Sequence, residues 1–152
     1  MLIFSNKRTP FSTEDNAKIM SILDVLQADY QRFPTNPSYE IYAEDVYFKD
    51  PLTEFHGIQR YQAMIQFMAT WFQDIQMELH HLEQHQQEIA SRWTLHWTTP
   101  LPWKPRISIS GRSELLLNDQ GLIYSHQDYW DCSPWQVLQQ HLFPKTGINR
   151  HN

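Results

Sequence analysis

The chain has 152 residues, a formal net charge of −5 with histidine counted as neutral, and a composition that is 41% hydrophobic and 14% aromatic. A domain of this length buries roughly 70% of its unfolded surface, so the bulky side chains are sufficient for one folded domain with a core. A negatively charged chain has no basic field, which excludes nucleic acid and anionic membranes as main partners.

The single cysteine, Cys132, has no partner for an internal disulfide and cannot build a thiolate metal site, which favours a reducing compartment. Residues 1–8 hold too short an apolar run for a signal peptide, and no stretch approaches the ~20 apolar residues of a membrane span. We therefore expect a cytoplasmic protein that does not interact with membranes.

The first predicted helix follows Ser12, which with Asp15 resembles an N-cap and an acidic first turn. Apolar residues then recur at helical spacing at Ile19, Ile22, Leu23, Leu26, Tyr30 and Phe33. Pro34 ends this helix, and residues 38–44 are expected to add one or two turns. We predict an N-terminal arm over residues 1–11, a single domain over residues 12–143 and a flexible tail over residues 144–152.

A second helix is predicted after a brief strand at residues 46–50 that Pro51 closes. It runs from Gly57 to about Ile75, and its apolar residues cover more than one narrow stripe. Such a distribution indicates that packing covers the helix on two sides.

Strand patterns dominate the second half of the chain. One strand from Met77 to about His81 and another from Ile89 to Trp97 flank a polar turn at residues 84–87, which is typical of an antiparallel hairpin. Residues 99–105 contain three prolines and are expected to form a connection. A long strand over residues 106–117 then has one face made of Ile107, Ile109, Gly111, Ser113, Leu115 and Leu117.

A turn at residues 118–121 leads into the last strand, after which Ser133 and Pro134 start a final helix. Because side chains alternate along a strand, one face of this last strand carries Tyr124, His126, Asp128 and Trp130. A carboxylate and an imidazole between aromatic rings suit a pocket better than a solvated surface. Helices gathered ahead of most strands predict an α+β fold, with a curved antiparallel sheet wrapped around the N-terminal helices.

Five short motifs stand at the joints between these elements: residues 42–51 (YAEDVYFKDP), 92–94 (RWT), 102–103 (PW), 111–114 (GRSE) and 121–128 (GLIYSHQD). With the order of elements over about residues 13–142, they resemble the nuclear transport factor 2-like superfamily, also called SnoaL-like. The resemblance implies a cone of bent sheet around helices, a cystatin-like roll. More narrowly, the chain looks like an uncharacterised subfamily, a domain of unknown function, found in photosynthetic lineages.

The resemblance also implies candidate catalytic residues. In the ketosteroid isomerases of this superfamily the general base lies at the position of Asp50, and in SnoaL-like cyclases it lies at Asp128, beside His126. A carboxylate among Phe48, Tyr124 and Trp130 would lose solvation, which raises its pKa toward the range of a working base. The isomerase's oxyanion donors are a tyrosine on the first helix and a protonated aspartate on the penultimate strand, and the resemblance puts Leu26 and Ser113 at these positions. Because neither residue replaces the missing donor, steroid isomerisation is not expected unless Tyr30 substitutes.

Simpler interpretations stand beside these hypotheses. Asp50 before a proline is also a turn-capping residue, and His126 with Asp128 is also a hydrogen-bonded structural pair. Arg112 is a candidate for binding an anionic or carbonyl group, and its simpler role is a salt bridge with Glu114.

Two further sets of residues have alternative readings. The histidines His80, His81, His85 and His96 lack matching zinc geometry, so no metal site is predicted. The ladder of Trp93, Leu95 and Trp97 either lines the core or forms a sheet face for dimerisation.

The leading hypothesis is a small-molecule-binding cone with an apolar cavity for a small hydrophobic or carbonyl-bearing molecule. As an enzyme, it would be an isomerase, cyclase or hydratase that needs no cofactor, with Asp128 or Asp50 as base and His126 as proton partner. The alternative is a non-catalytic ligand carrier, protein-binding or dimerisation module, including a homodimer through the sheet.

Overall fold

The computed structural model describes residues 20–143. Its elements, in chain order, are α1 (Ile22–Arg32), a short 3-10 turn (Tyr39–Ile41), β1 (Tyr42–Lys49), β2 (Glu54–His56), α2 (Ile58–Trp71), β3 (Gln73–His85), β4 (Glu88–Thr98), β5 (Arg106–Leu117), β6 (Ile123–Trp130) and α3 (Pro134–Leu142). The α+β class expected from the sequence is confirmed, with one curved sheet and helices on its inner side.

Helix α1 begins with a capping box. The Ser21 side chain accepts a hydrogen bond from the backbone N–H of Asp24, and the Asp24 carboxylate accepts one from the Ser21 backbone N–H, so two otherwise unpaired donors are satisfied. Leu26 is the buried residue of this helix. The N-cap predicted at Ser12 lies outside the described residues.

Helix α2 is shorter than predicted. Its last residue is Trp71, and Gln73 already belongs to β3, because the apolar residue Ile75 starts the alternation of the strand instead of continuing the helix. Packing also covers α2 less than expected: Tyr61 and Ile65 are buried, whereas Phe67 and Trp71 are more than half exposed. The prediction of cover on two sides is therefore wrong.

The sheet has six strands among the described residues, in the order β2-β1-β6-β5-β4-β3. Neighbouring strands run antiparallel except β1 and β6, which pair in parallel with Phe48 opposite His126 and Lys49 opposite Gln127. The short strand β2 was not expected from the sequence. It pairs only with β1 and extends the edge beyond it.

The inner face of β4 and β5 supplies much of the core. Side chains alternate between buried and exposed along both strands, and the buried set of β5 is the one the sequence predicted for its inward face. Trp93, Leu95 and Trp97 are buried on the inner side against Ile107 and Ile109. The ladder therefore lines the core, which was one of its two readings, and does not form an exposed face for dimerisation. The homodimer stays a prediction, and this ladder does not support it.

Strand β6 departs from simple alternation near its start. The pairing with β5 shifts between Leu116 and Leu117, which face Ser125 and Ile123 respectively, so Tyr124 has no direct partner. An extra residue in one strand reverses the faces on either side of it. As a result Ile123, Ser125 and His126 are all buried while Tyr124 is 44% exposed. The prediction that Tyr124 shares a face with His126 is wrong for this reason.

Helix α3 starts as expected, with Ser133 as N-cap in a second capping box with Gln136 and with Pro134 at the first helical position. Val137 is its buried residue. The apolar residues noted in the sequence, Trp135, Leu138 and Leu142, are instead exposed.

Candidate functional site

A cavity of about 440 Å³ lies between the inner face of the sheet and the helices. Its walls are mostly apolar and aromatic and come from α1, α2, α3, the turn between β1 and β2, and every strand except β2. They include Phe48, Met68, Phe72, Trp93, Trp97 and Trp130. Leu52 and Phe67 also line it and are 68% and 56% exposed, so they mark its opening to solvent. The volume is that of a small-molecule site.

Asp128 is the centre of a hydrogen-bonded chain in the cavity wall. Ser113 donates to Asp128 Oδ1 at 2.5 Å, and Trp93 Nε1 donates to the Ser113 hydroxyl at 2.8 Å. His126 Nε2 lies 2.8 Å from the same carboxylate oxygen. Since an ionised carboxylate only accepts, this nitrogen carries the hydrogen. The carboxylate is thus oriented by groups from both β5 and β6.

His126 is 8% exposed and surrounded by rings. The centres of the Phe48, Tyr61 and Tyr42 rings lie 5.1, 5.7 and 6.2 Å from its own. With Nε2 bonded to Asp128, the buried Nδ1 has no hydrogen-bond partner among the described residues. An unpaired buried polar atom is costly and calls for a specific explanation.

Asp50 lies beside Asp128. Lys49 and Gln127 are opposite each other in the parallel pair of β1 and β6, and Asp50 and Asp128 follow them directly. Neighbouring strands are about 4.8 Å apart, and both carboxylates line the cavity. Burial, and secondarily the charge of Asp128, raise the pKa of Asp50.

The turn-capping role of Asp50 is also observed. Its Oδ1 accepts hydrogen bonds from the backbone N–H groups of Leu52 and Thr53 at 2.8 and 2.7 Å. The turn-capping reading of Asp50 is therefore observed. The residue also lines the cavity beside a second carboxylate, and its catalytic role stays a prediction.

Tyr30 reaches the cavity from α1, as the sequence predicted for a pocket residue. Its hydroxyl lies 2.7 Å from the hydroxyl of Ser91. Burial raises the pKa of Tyr30 to about 12, against the smaller opposing effect of the Ser91 hydrogen bond. Leu26, on the same helix, also lines the cavity but brings no polar atom to it.

Two cavity residues escaped sequence reasoning. Tyr42 and Tyr61 line the wall, with their hydroxyls 3.4 Å apart, and burial raises the pKa of both phenols above the ordinary value. Tyr61 falls among the apolar positions of the second predicted helix, and Tyr42 is the first residue of the motif over residues 42–51. The polar tip of a tyrosine at a core-facing position was the available signal.

Two predicted pocket residues lie elsewhere. Tyr124 is carried outward by the register shift of β6 and is absent from the cavity wall. Arg112 is on the outer face of β5, where it lies 3.6 Å from Glu114 and stacks over the Tyr129 ring at 4.4 Å. Residues 111 and 113 are the inward positions of that strand, so the salt bridge is the observed role of Arg112.

The histidines considered as metal ligands are spread over the outer face of the hairpin. His80 contacts Thr94, His81 contacts Glu83, and His96 lies between Ser108 and Glu78. Over residues 20–143, no group of three His, Cys, Asp or Glu side chains is placed to hold a metal ion.

A cone of curved sheet with a lined interior defines the class of this protein: it has the NTF2-like fold. Three solved structures illustrate the likeness, and at these identities it concerns the fold alone. An NTF2-like protein of unknown function from Exiguobacterium sp. 255-15 is 17% identical, over 73% of this chain and 95% of that one, with a TM-score of 0.56. A protein with a ketosteroid isomerase-like fold from Catenulispora acidiphila, in complex with trimethylamine, is 14% identical over 80% and 94%, with a TM-score of 0.64. An LEH-like epoxide hydrolase of M. tuberculosis is 12% identical over 79% and 88%, with a TM-score of 0.61.

The chain belongs to the family described as Uncharacterized conserved protein (DUF2358), whose model matches residues 20–126. The expectation of an uncharacterised family is thus confirmed, and its restriction to photosynthetic lineages stays a prediction. No curated protein matches the chain. In the part of the chain that the structure describes, no helix has the length and apolarity needed to cross a membrane.

Proposed function

We propose that this protein binds a small hydrophobic molecule in its cavity and acts on it by acid–base chemistry without a cofactor, as an isomerase, cyclase or hydratase. One observation carries the proposal. Asp128, oriented by Ser113 and His126, lines a mostly apolar cavity together with a second carboxylate, Asp50. Paired carboxylates in an apolar pocket are typical of sites that move protons.

In this proposal Asp128 is the base. Both hydrogen bonds that the described residues give its side chain go to Oδ1, which leaves Oδ2 to take a proton from the ligand. His126, hydrogen-bonded to the same carboxylate, is the proton partner. A positioned general base contributes roughly 10²- to 10⁴-fold to a rate.

The comparisons support a hydratase-type reaction. The M. tuberculosis protein with the same fold is an LEH-like epoxide hydrolase, and opening an epoxide requires a base that activates water and an acid that protonates the leaving oxygen. Two carboxyl groups beside each other can divide these roles. A carbonyl-bearing ligand would use the same base to lose a proton from the carbon next to the carbonyl.

A ligand carrier is the second candidate. Leu26 and Ser113 occupy the positions where the resemblance would require oxyanion donors, and the Tyr30 hydroxyl is already paired with Ser91. Losing one such donor costs roughly 10²- to 10³-fold in rate. A cavity without an electrophile would bind its ligand and release it unchanged.

The test begins with native mass spectrometry of the protein purified from its source, which identifies a retained metabolite. Turnover of that metabolite is then measured for the wild type and for Asp128→Asn. We expect at least 100-fold slower turnover with affinity within a few fold, because asparagine keeps the hydrogen-bond geometry and cannot take the proton.

Asp45→Asn is the matched control, since Asp45 is an exposed carboxylate of β1 outside the cavity. Turnover by Asp128→Asn equal to the wild type would exclude Asp128 as the base. Tight binding with no turnover by the wild type would favour the carrier.

A further inference from the structure

The ionisable groups of the cavity wall are unbalanced in charge. Asp29, Asp50 and Asp128 all line it, together with His126 and His141. Among the described residues of that wall there is no Lys or Arg. A ligand that carries a negative charge would therefore meet carboxylates without any fixed positive charge to bind it.

One of the three carboxylates is already compensated. Asp29 forms an ion pair with Arg32, which is exposed, and it accepts hydrogen bonds from the backbone N–H and the hydroxyl of Ser38, both at 2.9 Å. Asp29 thus has its own cation and does not need one from a ligand.

Over residues 20–143, neither Asp50 nor Asp128 forms an ion pair with a Lys or Arg. Their hydrogen bonds come from backbone N–H groups, from Ser113 and from the ring of His126. Asp50 directly follows β1 and Asp128 lies in β6, each one residue beyond the parallel pair of Lys49 and Gln127. Burial, and to a smaller extent the charge of Asp128, raise the pKa of Asp50, which expresses the cost of ionising it there. A positive group between the two carboxylates would remove that cost.

The surroundings suit an organic cation. His126 is nine-tenths buried, lines the cavity between Phe48, Tyr61 and Tyr42, and has an unpartnered Nδ1. Aromatic faces attract ammonium groups, and Tyr42, Phe48 and Tyr61 all line the cavity.

A metal ion is a poorer match than an ammonium group. Asp50, Asp128 and His126 do not form a group of three ligands placed for a metal within residues 20–143. An ammonium has three N–H donors and tolerates longer, less regular contacts. The remaining wall, with Met68, Phe72 and Trp97, is apolar and fits a hydrocarbon body.

We propose that the ligand of this cavity is a hydrophobic primary amine, whose ammonium group lies between Asp50 and Asp128 while its apolar part fills the space toward Trp97. This inference rests on the proposed function and names the ligand class of the same site. In it Asp50 binds the ammonium group, in place of the acid role that an epoxide-opening reaction would give it.

The experiment uses three probes of one shape: 4-phenylbutylamine, 4-phenylbutan-1-ol and 4-phenylbutanoate. Their affinities are measured at pH 7 by isothermal titration and by displacement of the neutral dye N-phenyl-1-naphthylamine. We expect the amine to bind about tenfold more tightly than the alcohol, and the carboxylate at least tenfold more weakly, because the amine is protonated at this pH and the acid is ionised.

A comparison of Asp50→Asn with Asp45→Asn distinguishes the effect of a charge in the cavity from the effect of the overall charge of the protein. Asparagine at position 50 keeps an oxygen for the Leu52 and Thr53 N–H groups, so the turn is retained. We expect this variant to bind amine and alcohol within about threefold of each other, while Asp45→Asn, which removes the same charge from the outside of β1, keeps the wild-type preference.

Two results overturn the proposal alone: equal affinity of the wild type for amine and alcohol, or a full preference in Asp50→Asn. Dye and alcohol binding would persist in both cases, so the proposed function would stand. If neither the dye nor any probe binds the wild type, both the proposed function and the amine inference fail.

Discussion

At the residue scale, the candidate site depends on the two side chains that form hydrogen bonds with the Asp128 carboxylate, Ser113 and His126. Ser113 accepts a hydrogen bond from the Trp93 indole and donates one to Asp128, so a small side chain joins the core to this carboxylate. The resemblance expected an acid at position 113 and a tyrosine at position 26. A serine and a leucine there leave a site built around one oriented carboxylate, with Asp50 beside it.

Asp50 leads to a prediction on stability and pH. Its pKa is raised above the ordinary value of 3.8 mainly by burial, so between the unfolded and folded pKa values the folded state holds more protons. Stability therefore falls as the pH rises through that window, and the penalty is fully present at pH 7. We expect Asp50→Asn to raise Tm at pH 7 by about 1–2 °C, as a few tenths of a kcal/mol would for this length.

Calorimetry at several pH values checks this expectation. The difference between Asp50→Asn and the wild type should vanish below the ordinary value of 3.8, where aspartate is protonated in both states. Asp45→Asn should show no such pH-dependent gain. A lower Tm for Asp50→Asn at pH 7 would mean that its charge stabilises the fold, contrary to the cause assigned here.

At the element scale, the termini of the helices and the register of β6 position the site. Capping boxes begin both α1 and α3, and these helices carry Tyr30 and Val137 to the cavity. The shift in β6 rotates Tyr124 outward and leaves His126 and Asp128 inward. One extra residue thus decides which side chains of β6 face the cavity.

Helix α1 leads to a prediction on capping. Ser21→Ala removes the side-chain acceptor of the Asp24 N–H, and loss of an N-cap costs about 1 kcal/mol. We expect the free energy of unfolding to fall by that amount in urea or guanidinium titrations, with an unchanged denaturant slope.

Thr35→Ala is the control, because Thr35 is exposed after the helix and its backbone N–H, which the substitution keeps, donates to the Arg32 carbonyl. It should change stability by less than about 0.5 kcal/mol. Equal losses for the two variants would contradict a capping role for Ser21.

At the scale of the whole molecule, the cavity exists because the sheet curves around helices that do not fill its interior. Clusters of buried residues surround it: one around Trp93 and Trp97, one around Leu26 and Leu115, and one around Phe48 and Tyr61. The hollow between them opens past Leu52 and Phe67. Binding there needs no change of fold.

Filling this hollow is the prediction at this scale. Met68 lines the cavity from α2, so Met68→Trp should occupy part of the space without displacing the core. We expect at least tenfold weaker binding of N-phenyl-1-naphthylamine in a fluorescence titration, with Tm within a few degrees of the wild type.

Gln66→Trp places the same side chain on the exposed face of the same helix and should bind the dye like the wild type. Unchanged dye affinity in Met68→Trp would show that the dye binds elsewhere.

Much of the fold was predictable because its signals are local. The alternation of β5, the proline-rich connection and the Ser133-Pro134 helix start were predicted and observed. The end of α2 was missed because Ile75 fits both a helical and an alternating pattern. The strand β2 was missed because Glu54–His56 is too short to show a period.

The candidate site was predictable in part. Phe48, Tyr30, Trp130, His126, Asp128 and Asp50 all line one cavity. Of the two readings of Arg112, the salt bridge is observed and the pocket contact is not, because the alternation of β5 puts Arg112 on the face opposite to that of Gly111 and Ser113. The roles of the six cavity residues in binding or catalysis stay predictions that the experiments above test.

The sequence by itself determined the α+β class, the inward face of the long strand and the chemical groups available to a site, since each follows from local periodicity and residue type. Only the tertiary structure decided that Asp50 stands beside Asp128, that Tyr42 and Tyr61 surround His126, and that Tyr124 faces outward. These are consequences of parallel pairing between β1 and β6 and of a one-residue shift against β5. Pairing partners and register join residues far apart in the chain, and no local pattern encodes them.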